Sequence, residues 1–424
     1  MSDPIRVVHI VRPGAEELRE HVVGLCSGLS AHRVEAVVVG PLERPFREAL
    51  SRRDVRWVNI PLPAGLRPRE QYAAVTHLAR FLQAAPPSII HAHGFQAAYT
   101  ALAARRRLSV SPPLIVAPHG VPALHDRSRP EQALRRFGYR RALASADAVV
   151  VASCSEREAL AALYPAVKAS VITHGVDRRR PSSVFDAGAK RRRVGLRQDA
   201  AVVVVMASLD QGVPLDHFLR AAALLSSEID NVDFAILGTG PRLQELQHLA
   251  HELHLSGSAV FLGERHDALD ILSTGNVMAV VTDDAWSAAA ALQALARGLR
   301  VVPNDVPGLR ELFEGVSSIR PVAVADHAAF SRALAEQLDE MTMGEDELEV
   351  STGMAWGLSE LMASQDEFDL DRPGLDPRDR RRHVNAEIQA LLDRYSVPRM
   401  VEETVTLYRE VTGTPTPRLS LSPE

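Results

Sequence analysis

Cysteine is scarce in this 424-residue chain, which has only Cys26 and Cys154. Two thiols exclude a framework of several disulfides and a four-cysteine metal site, and they are typical of a protein of the reducing cytosol. An excess of basic charge is also lacking, since 48 basic residues stand against 53 acidic ones and give a net charge of −5. This balance argues against a general nucleic-acid binder.

Long apolar runs are missing as well. The longest ones, such as Ala200–Ala207, are far too short to span a bilayer. The first apolar stretch starts at Ile5 without the basic segment and long apolar core of a signal peptide. We therefore expect a cytoplasmic protein, with peripheral contact to the inner membrane face left open.

Several catalytic motifs are absent. The sequence contains no G-x-x-x-x-G-K-[ST] phosphate loop, no G-x-G-x-x-G dinucleotide fingerprint, no His-Glu-x-x-His zinc motif and no nucleophile elbow. These absences argue against an NTPase, an oxidoreductase, a zinc protease of that type and an α/β-hydrolase.

What the chain does contain is a repeated alternation of short apolar stretches with stretches of helical spacing. With 46% hydrophobic residues, its length suits two domains. The pattern predicts an α/β fold of two Rossmann-like domains with doubly wound parallel sheets and a cleft between them. The predicted strands are Ile5–Val11, Val34–Val39, Ser88–His91, Leu114–Ala117 and Ala148–Ala152, then Ala201–Ala207, Asp233–Leu237, Ala259–Leu262, Val277–Val281 and Leu299–Pro303.

The expected domain boundaries follow from changes in composition. Residues 1–180 form the first domain, 181–338 the second, 339–380 an acidic insertion, and 381–424 closing helices with a loose tail. Asp339–Asp371 holds eleven acidic residues and no Lys or Arg. It is either a solvated insertion or a docking surface for a basic protein partner.

Several segments carry a family resemblance. They are Ile89-Ile90-His91-Ala92-His93-Gly94, Pro118-His119-Gly120, Val171-Ile172-Thr173-His174-Gly175-Val176-Asp177, Leu237-Gly238-Thr239-Gly240-Pro241, Val260-Phe261-Leu262-Gly263, Asp284–Gly298, Arg394-Tyr395-Ser396 and Leu407-Tyr408-Arg409. In this order and spacing they resemble the retaining glycosyltransferases of family 4, which have the GT-B fold. The resemblance implies transfer of a hexose from a nucleotide sugar to a polysaccharide or glycolipid precursor, with neither a metal nor another cofactor.

On the acceptor side, the resemblance implies that His93 contacts the transferred sugar. His119, in the second His-Gly loop, is the other catalytic candidate, while His174 stands where the family has Asn. A structural hydrogen-bonding role is the alternative for His93 and His119, and His174 is expected to serve the turn of its loop.

On the donor side, the resemblance implies a binding role for two glycine turns and for one helical residue. The candidate donor-binding residues are Gly238, Gly240, Gln293, Gly308 and Leu309.

The chain departs from the family where the donor would bind. Ser208 replaces an Arg, Gln211 is the nearest counterpart of a Lys, Ala285 and Gln293 replace two glutamates, and Glu16 and Glu17 replace a Gly-Gly pair. Because each charge-assisted hydrogen bond contributes about 1.5–3 kcal/mol, losing both cations removes about 3–6 kcal/mol of donor stabilisation. Asp283 and Asp284 are the candidates to replace the glutamates. The candidates to replace the lost cations are Arg265, Arg297 and Arg310.

Three functions stay open at this point. The first is a glycosyltransferase with an eroded donor site. The second is an inactive pseudo-glycosyltransferase that binds a sugar or serves as a partner subunit of an active transferase. The third, an epimerase of related fold, needs a carboxylate pair that the sequence does not place. The basic groups Arg178–Arg180 and Lys190–Arg193 are either a solvated linker or a contact for an anionic membrane or a lipid-linked acceptor.

Overall fold

The structure is a computed structural model that describes most of the chain. The described residues are 4–12, 16–63, 68–119, 130–177, 187–210, 212–265, 267–282, 285–345 and 377–413. The chain divides into two compact units. One consists of Met1–Asp177, Asp284–Ala289 and Tyr395–Glu424, and the other of Arg178–Asp283 and Ala290–Arg394.

The first unit contains a seven-stranded parallel sheet in the order β3-β2-β1-β4-β5-β6-β7. Its strands are β1 (Ile5–Val11), β2 (Val34–Gly40), β3 (Arg56–Asn59), β4 (Ile89–His93), β5 (Leu114–Ala117), β6 (Ala148–Val151) and β7 (Ala169–Val171). Its helices are α1 (Glu16–Leu29), a 3₁₀ turn (Ser30–His32), α2 (Arg44–Ser51), α3 (Pro68–Ala84), α4 (Phe95–Arg105), α5 (Pro130–Ala144), α6 (Cys154–Leu163) and the C-terminal α15 (Val397–Thr412).

The second unit contains a five-stranded parallel sheet in the order β10-β9-β8-β11-β12. Its strands are β8 (Ala201–Met206), β9 (Val232–Leu237), β10 (Ala259–Gly263), β11 (Val277–Val280) and β12 (Arg300–Pro303). Its helices are α7 (Ala187–Arg193), α8 (Leu215–Glu228), α9 (Leu243–Glu252), α10 (Ala268–Leu272), most of α11 (Ala285–Ala296), α12 (Pro307–Leu312), α13 (His327–Glu345) and α14 (Pro377–Arg394).

Continuous apolar strands explain why both sheets are covered on their two faces. All five residues of Val7–Val11 are buried, which is typical of a parallel strand packed between two helical layers. One face of the first sheet packs against α3, α4 and α5 through side chains such as Leu78 and Tyr139. The other face packs against α1 and α15 through Leu25, Met400 and Tyr408. The two doubly wound parallel sheets confirm the fold class expected from the sequence.

Both sheets have a topological switch point, where the strand order reverses and ligands of such folds bind. In the first sheet it lies between β1 and β4, and in the second between β8 and β11. Among the described residues, none of the helices combines the length and the apolar character that crossing a membrane requires.

Candidate functional site

Six histidines form a cluster at the switch point of the first unit. β1 and β4 pair in a register that places His9 opposite His91, and His93 ends β4. Two further members lie in loops that follow β5 and β7, because the carboxyl ends of parallel strands meet at one edge of a sheet. The histidine cluster consists of His9, His21, His91, His93, His119 and His174, with neighbouring ring centroids 4.3–5.9 Å apart.

Four members of the cluster form a chain of ring-to-ring hydrogen bonds. His9 Nδ1 lies 3.0 Å from His93 Nε2. His93 Nδ1 lies 2.9 Å from His119 Nε2, and His119 Nδ1 lies 3.3 Å from His174 Nε2. Each link needs one protonated and one bare nitrogen, so a single choice of tautomer at one end fixes the tautomers along the chain.

The remaining members attach at the sides of this chain. His91 Nδ1 lies 2.7 Å from the hydroxyl of Tyr408 on α15. The ring of His21, on α1, lies 4.4 Å from that of His174. His119 itself has a left-handed backbone with φ 54°. Histidine is among the few non-glycine residues that enter this region with some frequency.

Burial keeps the cluster uncharged at neutral pH. It lowers the pKa of His9 to about 3 and that of His174 to about 4. It also lowers the pKa values of His21, His93 and His119 well below 6.5, and charge repulsion from neighbouring histidines lowers them further. Neutral imidazole is the form that accepts hydrogen bonds and binds metal ions.

The two catalytic candidates are therefore neighbours, but they bond each other. His93 is 1% exposed, and both of its ring nitrogens have histidine partners. His119 is half-buried and bonds His93 and His174. Contact of His93 with a transferred sugar, and a catalytic role for His119, stay predictions.

The donor-side glycines of the second unit lie where two loops approach closely. Gly238 follows β9 with φ 139°, and a Cβ there would lie 1.9 Å from the carbonyl oxygen of Ala207. A Cβ on Gly240 would lie 2.4 Å from the carbonyl carbon of Leu209. These positions require glycine for backbone packing alone, and a contact with the donor is a further, separate prediction.

The other two donor-binding candidates open the short helix α12. Pro307 occupies its first turn, Gly308 is buried, and Leu309 has no exposed surface. The N–H group of Leu309 donates to the carbonyl of Val306 at 3.1 Å. That group is thus used inside the turn, and donor binding by Gly308 and Leu309 stays a prediction.

Two of the residues that depart from the family pattern form hydrogen bonds to nearby side chains. Ser208 is exposed, and its hydroxyl donates to the carboxylate of Asp210. Gln293 is 7% exposed on α11, and its side-chain oxygen accepts a hydrogen bond from Arg297. Ala285 opens α11, while Glu16 and Glu17 open α1.

Several expected groups fall outside the description. The side chains of Glu16, Glu17 and Ala285 lie outside the described residues, as do the whole of Gln211, Asp283, Asp284 and Arg178–Arg180. The acidic stretch is described only as far as Glu345, in α13.

Three arginines proposed as replacement cations bond to nearby side chains. Arg265 pairs with Asp267 at 2.7 Å and holds the pKa of that carboxyl far below its usual range. Arg310 pairs with Asp305, and Arg297 bonds Gln293. A phosphate would have to compete with these partners for each guanidinium.

Two residues of the second basic group, Lys190–Arg193 on α7, form polar contacts within the second unit. Lys190 pairs with Asp267 at 2.7 Å, and Arg191 donates to the carbonyl oxygen of Thr274 at 2.7 Å. These bonds favour a structural role for that half of the group. The membrane contact stays a prediction.

Sequence reasoning missed half of the histidine cluster. His9 and His91 lie in predicted strands, Tyr408 lies in the region of the closing helices, and the sequence indicates no function for these residues or for His21. The signal in the sequence was weak. It consists of histidines inside two mostly apolar strands, His9 in Ile5–Val11 and His91 with His93 in Ile89–His93.

Two family models match the chain in sequential order. Residues 18–175 match the glycosyl transferase 4-like domain, and residues 200–340 match the domain called glycosyl transferases group 1. Together the two matches cover more than half of the chain.

Curated relatives point to the same family. The chain is 29% identical over 240 residues to a D-inositol 3-phosphate glycosyltransferase of Rhodococcus erythropolis, which covers 52% of this chain and 53% of the relative. The protein of that name from Kribbella flavida is 29% identical over 300 residues, which covers 64% of this chain and 68% of the relative. The chain thus spans about half the length of the first relative and about two thirds of the second.

Solved structures share the fold. Anabaena HepE in complex with UDP-glucose matches with a TM-score of 0.65 and 18% identity, over 96% of this chain and 100% of that chain. The two parallel sheets are therefore those of the GT-B class of glycosyltransferases. Within that class, the two family models show that the chain belongs to the family-4-like, group 1 glycosyltransferases.

Proposed function

We propose that this glycosyltransferase moves a hexosyl group from a nucleotide sugar to a polysaccharide or glycolipid precursor, and that it holds the donor diphosphate weakly. Family membership supports the reaction class. The HepE complex with UDP-glucose and the relatives named for D-inositol 3-phosphate support a nucleotide-sugar donor and a hydroxyl-bearing acceptor.

The loop after β8 carries the claim of a weak donor site. Where the family resemblance places an arginine, the structure has the Ser208 hydroxyl bonded to the Asp210 carboxylate. A carboxylate at this point repels a diphosphate, whereas an arginine would neutralise the charge that develops on the leaving group. The three arginines near the other donor positions already bond local partners.

Restoring the missing cation tests this claim. We expect Ser208→Arg to tighten binding of the preferred nucleotide sugar by about tenfold or more, since a charge-assisted hydrogen bond contributes about 1.5–3 kcal/mol. Isothermal titration with UDP-, GDP- and ADP-hexoses measures the change. Ser227→Arg is the matched control, because Ser227 is exposed on α8 and is not among the donor-side positions. Equal affinities for the two variants would contradict a donor site beside residue 208.

A second candidate function is a non-catalytic partner subunit. The bonding of Gln293 to Arg297 favours it, because neither side chain is then free for the ribose or the phosphates. Absence of nucleotide-sugar binding at millimolar concentration, together with co-purification of an active transferase, would support this candidate. Deletion of residues 346–376 removes the acidic stretch beyond α13 and should abolish that co-purification. A second variant keeps the full length and replaces the Asp and Glu residues of 346–376 by Asn and Gln. It separates the effect of charge from the effect of chain length.

A further inference from the structure

Three members of the histidine cluster are placed like metal ligands. His21, His119 and His174, which we call the outer triad, each offer one ring nitrogen, and these nitrogens lie within 4.8 Å of one another. We propose that the outer triad binds one divalent transition-metal ion such as Zn²⁺, Ni²⁺ or Cu²⁺. This inference stands independently of the proposed transferase function, and it goes against the expectation, drawn from the family resemblance, that no metal binds.

The distance between two nitrogens of the outer triad fits metal coordination. Two nitrogens that each lie about 2.0–2.1 Å from a tetrahedral Zn²⁺ are about 3.3 Å apart. His119 Nδ1 and His174 Nε2 are 3.3 Å apart. An N–H···N bond is long at that distance, since nitrogen donors in proteins favour about 2.9–3.0 Å. The other two links of the chain have those shorter lengths, at 2.9 and 3.0 Å.

His21 supplies the third nitrogen. It lies on α1, with its ring 4.4 Å from that of His174 and 5.2 Å from that of His119. Its Nδ1 is buried and has no hydrogen-bond partner among the described residues. A buried, unpaired ring nitrogen costs free energy, and coordination to a metal ion would remove that cost.

The rest of the hydrogen-bond chain continues from His119 and would hold its ring in place. If His119 coordinates through Nδ1, its Nε2–H donates to His93 Nδ1, 2.9 Å away. His93 Nε2–H then donates to His9 Nδ1 at 3.0 Å. Metal-bound histidines usually donate their other N–H to such a partner, which fixes the tautomer and the ring orientation.

The other three histidines of the cluster, the inner triad His9, His91 and His93, meet the same distance limit. They are 0–3% exposed, and both ring nitrogens of His93 are already bonded. In the outer triad, His119 is half-buried, so this triad reaches solvent where the inner one does not. We therefore assign the metal to the outer triad.

The donor set selects the kind of ion. Three neutral imidazoles suit Zn²⁺, Ni²⁺ or Cu²⁺, whereas Mg²⁺ and Ca²⁺ require oxygen ligands. Within the described residues, neither histidine triad includes a carboxylate. Three protein ligands also leave one tetrahedral position for water or for an oxygen of a bound molecule.

Metal titration of the full chain tests the proposal. After stripping with EDTA, calorimetric titration with ZnCl₂ should show one ion per chain. His119→Asn and His174→Asn should each weaken that binding by about 100-fold or more, since loss of even a group that hydrogen-bonds a metal ligand costs about 10–100-fold. Asparagine tolerates the left-handed backbone of residue 119, and it is the residue that the family resemblance implies at 174. His327→Asn is the control, because His327 pairs with His217 at 2.9 Å in the second unit.

Two results would overturn the proposal. One is the absence of stoichiometric Zn²⁺ binding by the folded wild-type chain. The other is unchanged binding in the His119 and His174 variants. Should either variant fail to fold, X-ray absorption on the zinc-loaded wild-type chain decides. We expect three imidazole nitrogens at about 2.0–2.1 Å, and a shell of carboxylate oxygens alone would refute the assignment.

Discussion

At the scale of single residues, Tyr408 links the C-terminal helix to the histidine cluster. Its hydroxyl lies 2.7 Å from His91 Nδ1, and both residues are almost fully buried. Burial raises the pKa of Tyr408 far above its usual value, so the hydroxyl keeps its proton. Since His91 Nε2 has no hydrogen-bond partner within the described part of the chain, the tyrosine bond is what satisfies this ring.

Tyr408→Phe should lower the free energy of unfolding by about 1–3 kcal/mol, because it leaves a second nitrogen of a buried imidazole without a partner. A urea titration measures the loss. Tyr72→Phe is the matched control, since Tyr72 is 66% exposed and its change should stay within about 0.5 kcal/mol. Similar losses in the two variants would show that the His91 bond contributes nothing to stability.

At the scale of elements, α1 and α15 approach each other at a glycine. A Cβ on Gly28 would lie 2.6 Å from Cγ2 of Val401, whereas a Cβ on Gly24 would lie 3.4 Å from Val397. Both glycines lie inside α1, where alanine would favour the helix by about 1 kcal/mol. A change from glycine to alanine should thus favour the helix equally at the two positions. The positions differ in the space available for the added methyl group.

We expect Gly24→Ala to stabilise the protein by about 0.5–1 kcal/mol. Gly28→Ala should lose that gain or destabilise, because Val401 has to move to admit the methyl group. Thermal unfolding of both variants beside the wild type measures the difference. An equal gain at the two positions would mean that α1 and α15 are not in close contact.

Deeply buried strands were easier to predict from the sequence than half-exposed ones. β1 is buried from Val7 to Val11 and β4 along its whole length, and their positions were predicted to within a few residues. β3 and β7 were missed because both are short edge strands with no fully buried residue. An edge strand of three or four half-exposed residues has neither a long apolar run nor a clear alternation.

The site was harder to predict than the fold, for a physical reason. His9 and His91 meet because β1 and β4 pair in one particular register, although the two residues are far apart in the sequence. Nothing local to either residue signals that pairing. His93 and His119 were predicted only because they lie in segments that resemble the family, His93 at the end of β4 and His119 in the loop after β5.

At the scale of the whole molecule, the two units should respond differently to acid. The pKa of His174 is about 4 in the folded state and about 6.5 in the unfolded state. The unfolded chain therefore binds this proton first as the pH falls. The stability that neutral His174 confers is complete above pH 6.5 and is lost as the pH falls towards 4. Neutral His9 likewise confers stability that is lost as the pH falls from 6.5 towards about 3.

Acidification from pH 7.5 to 5.0 should thus destabilise the first unit more than the second, by up to about 1.4 kcal/mol per pH unit for each buried histidine. Hydrogen exchange in the presence of EDTA measures both units in one experiment. In the second unit, burial lowers the pKa of His327. Equal loss of protection in the two units would contradict the neutral state of the histidine cluster.

Direct titration of the wild-type chain with nucleotide sugars, followed by analysis for transferred hexose, tests the central claim of a functional but weakened donor site. Loss of about 3 kcal/mol from an ordinary micromolar site predicts dissociation constants of about 0.1 mM or weaker, with detectable transfer at saturating donor. Low-micromolar binding would contradict weak binding of the donor diphosphate. Absence of transfer at any donor concentration would contradict the proposed hexosyl transfer.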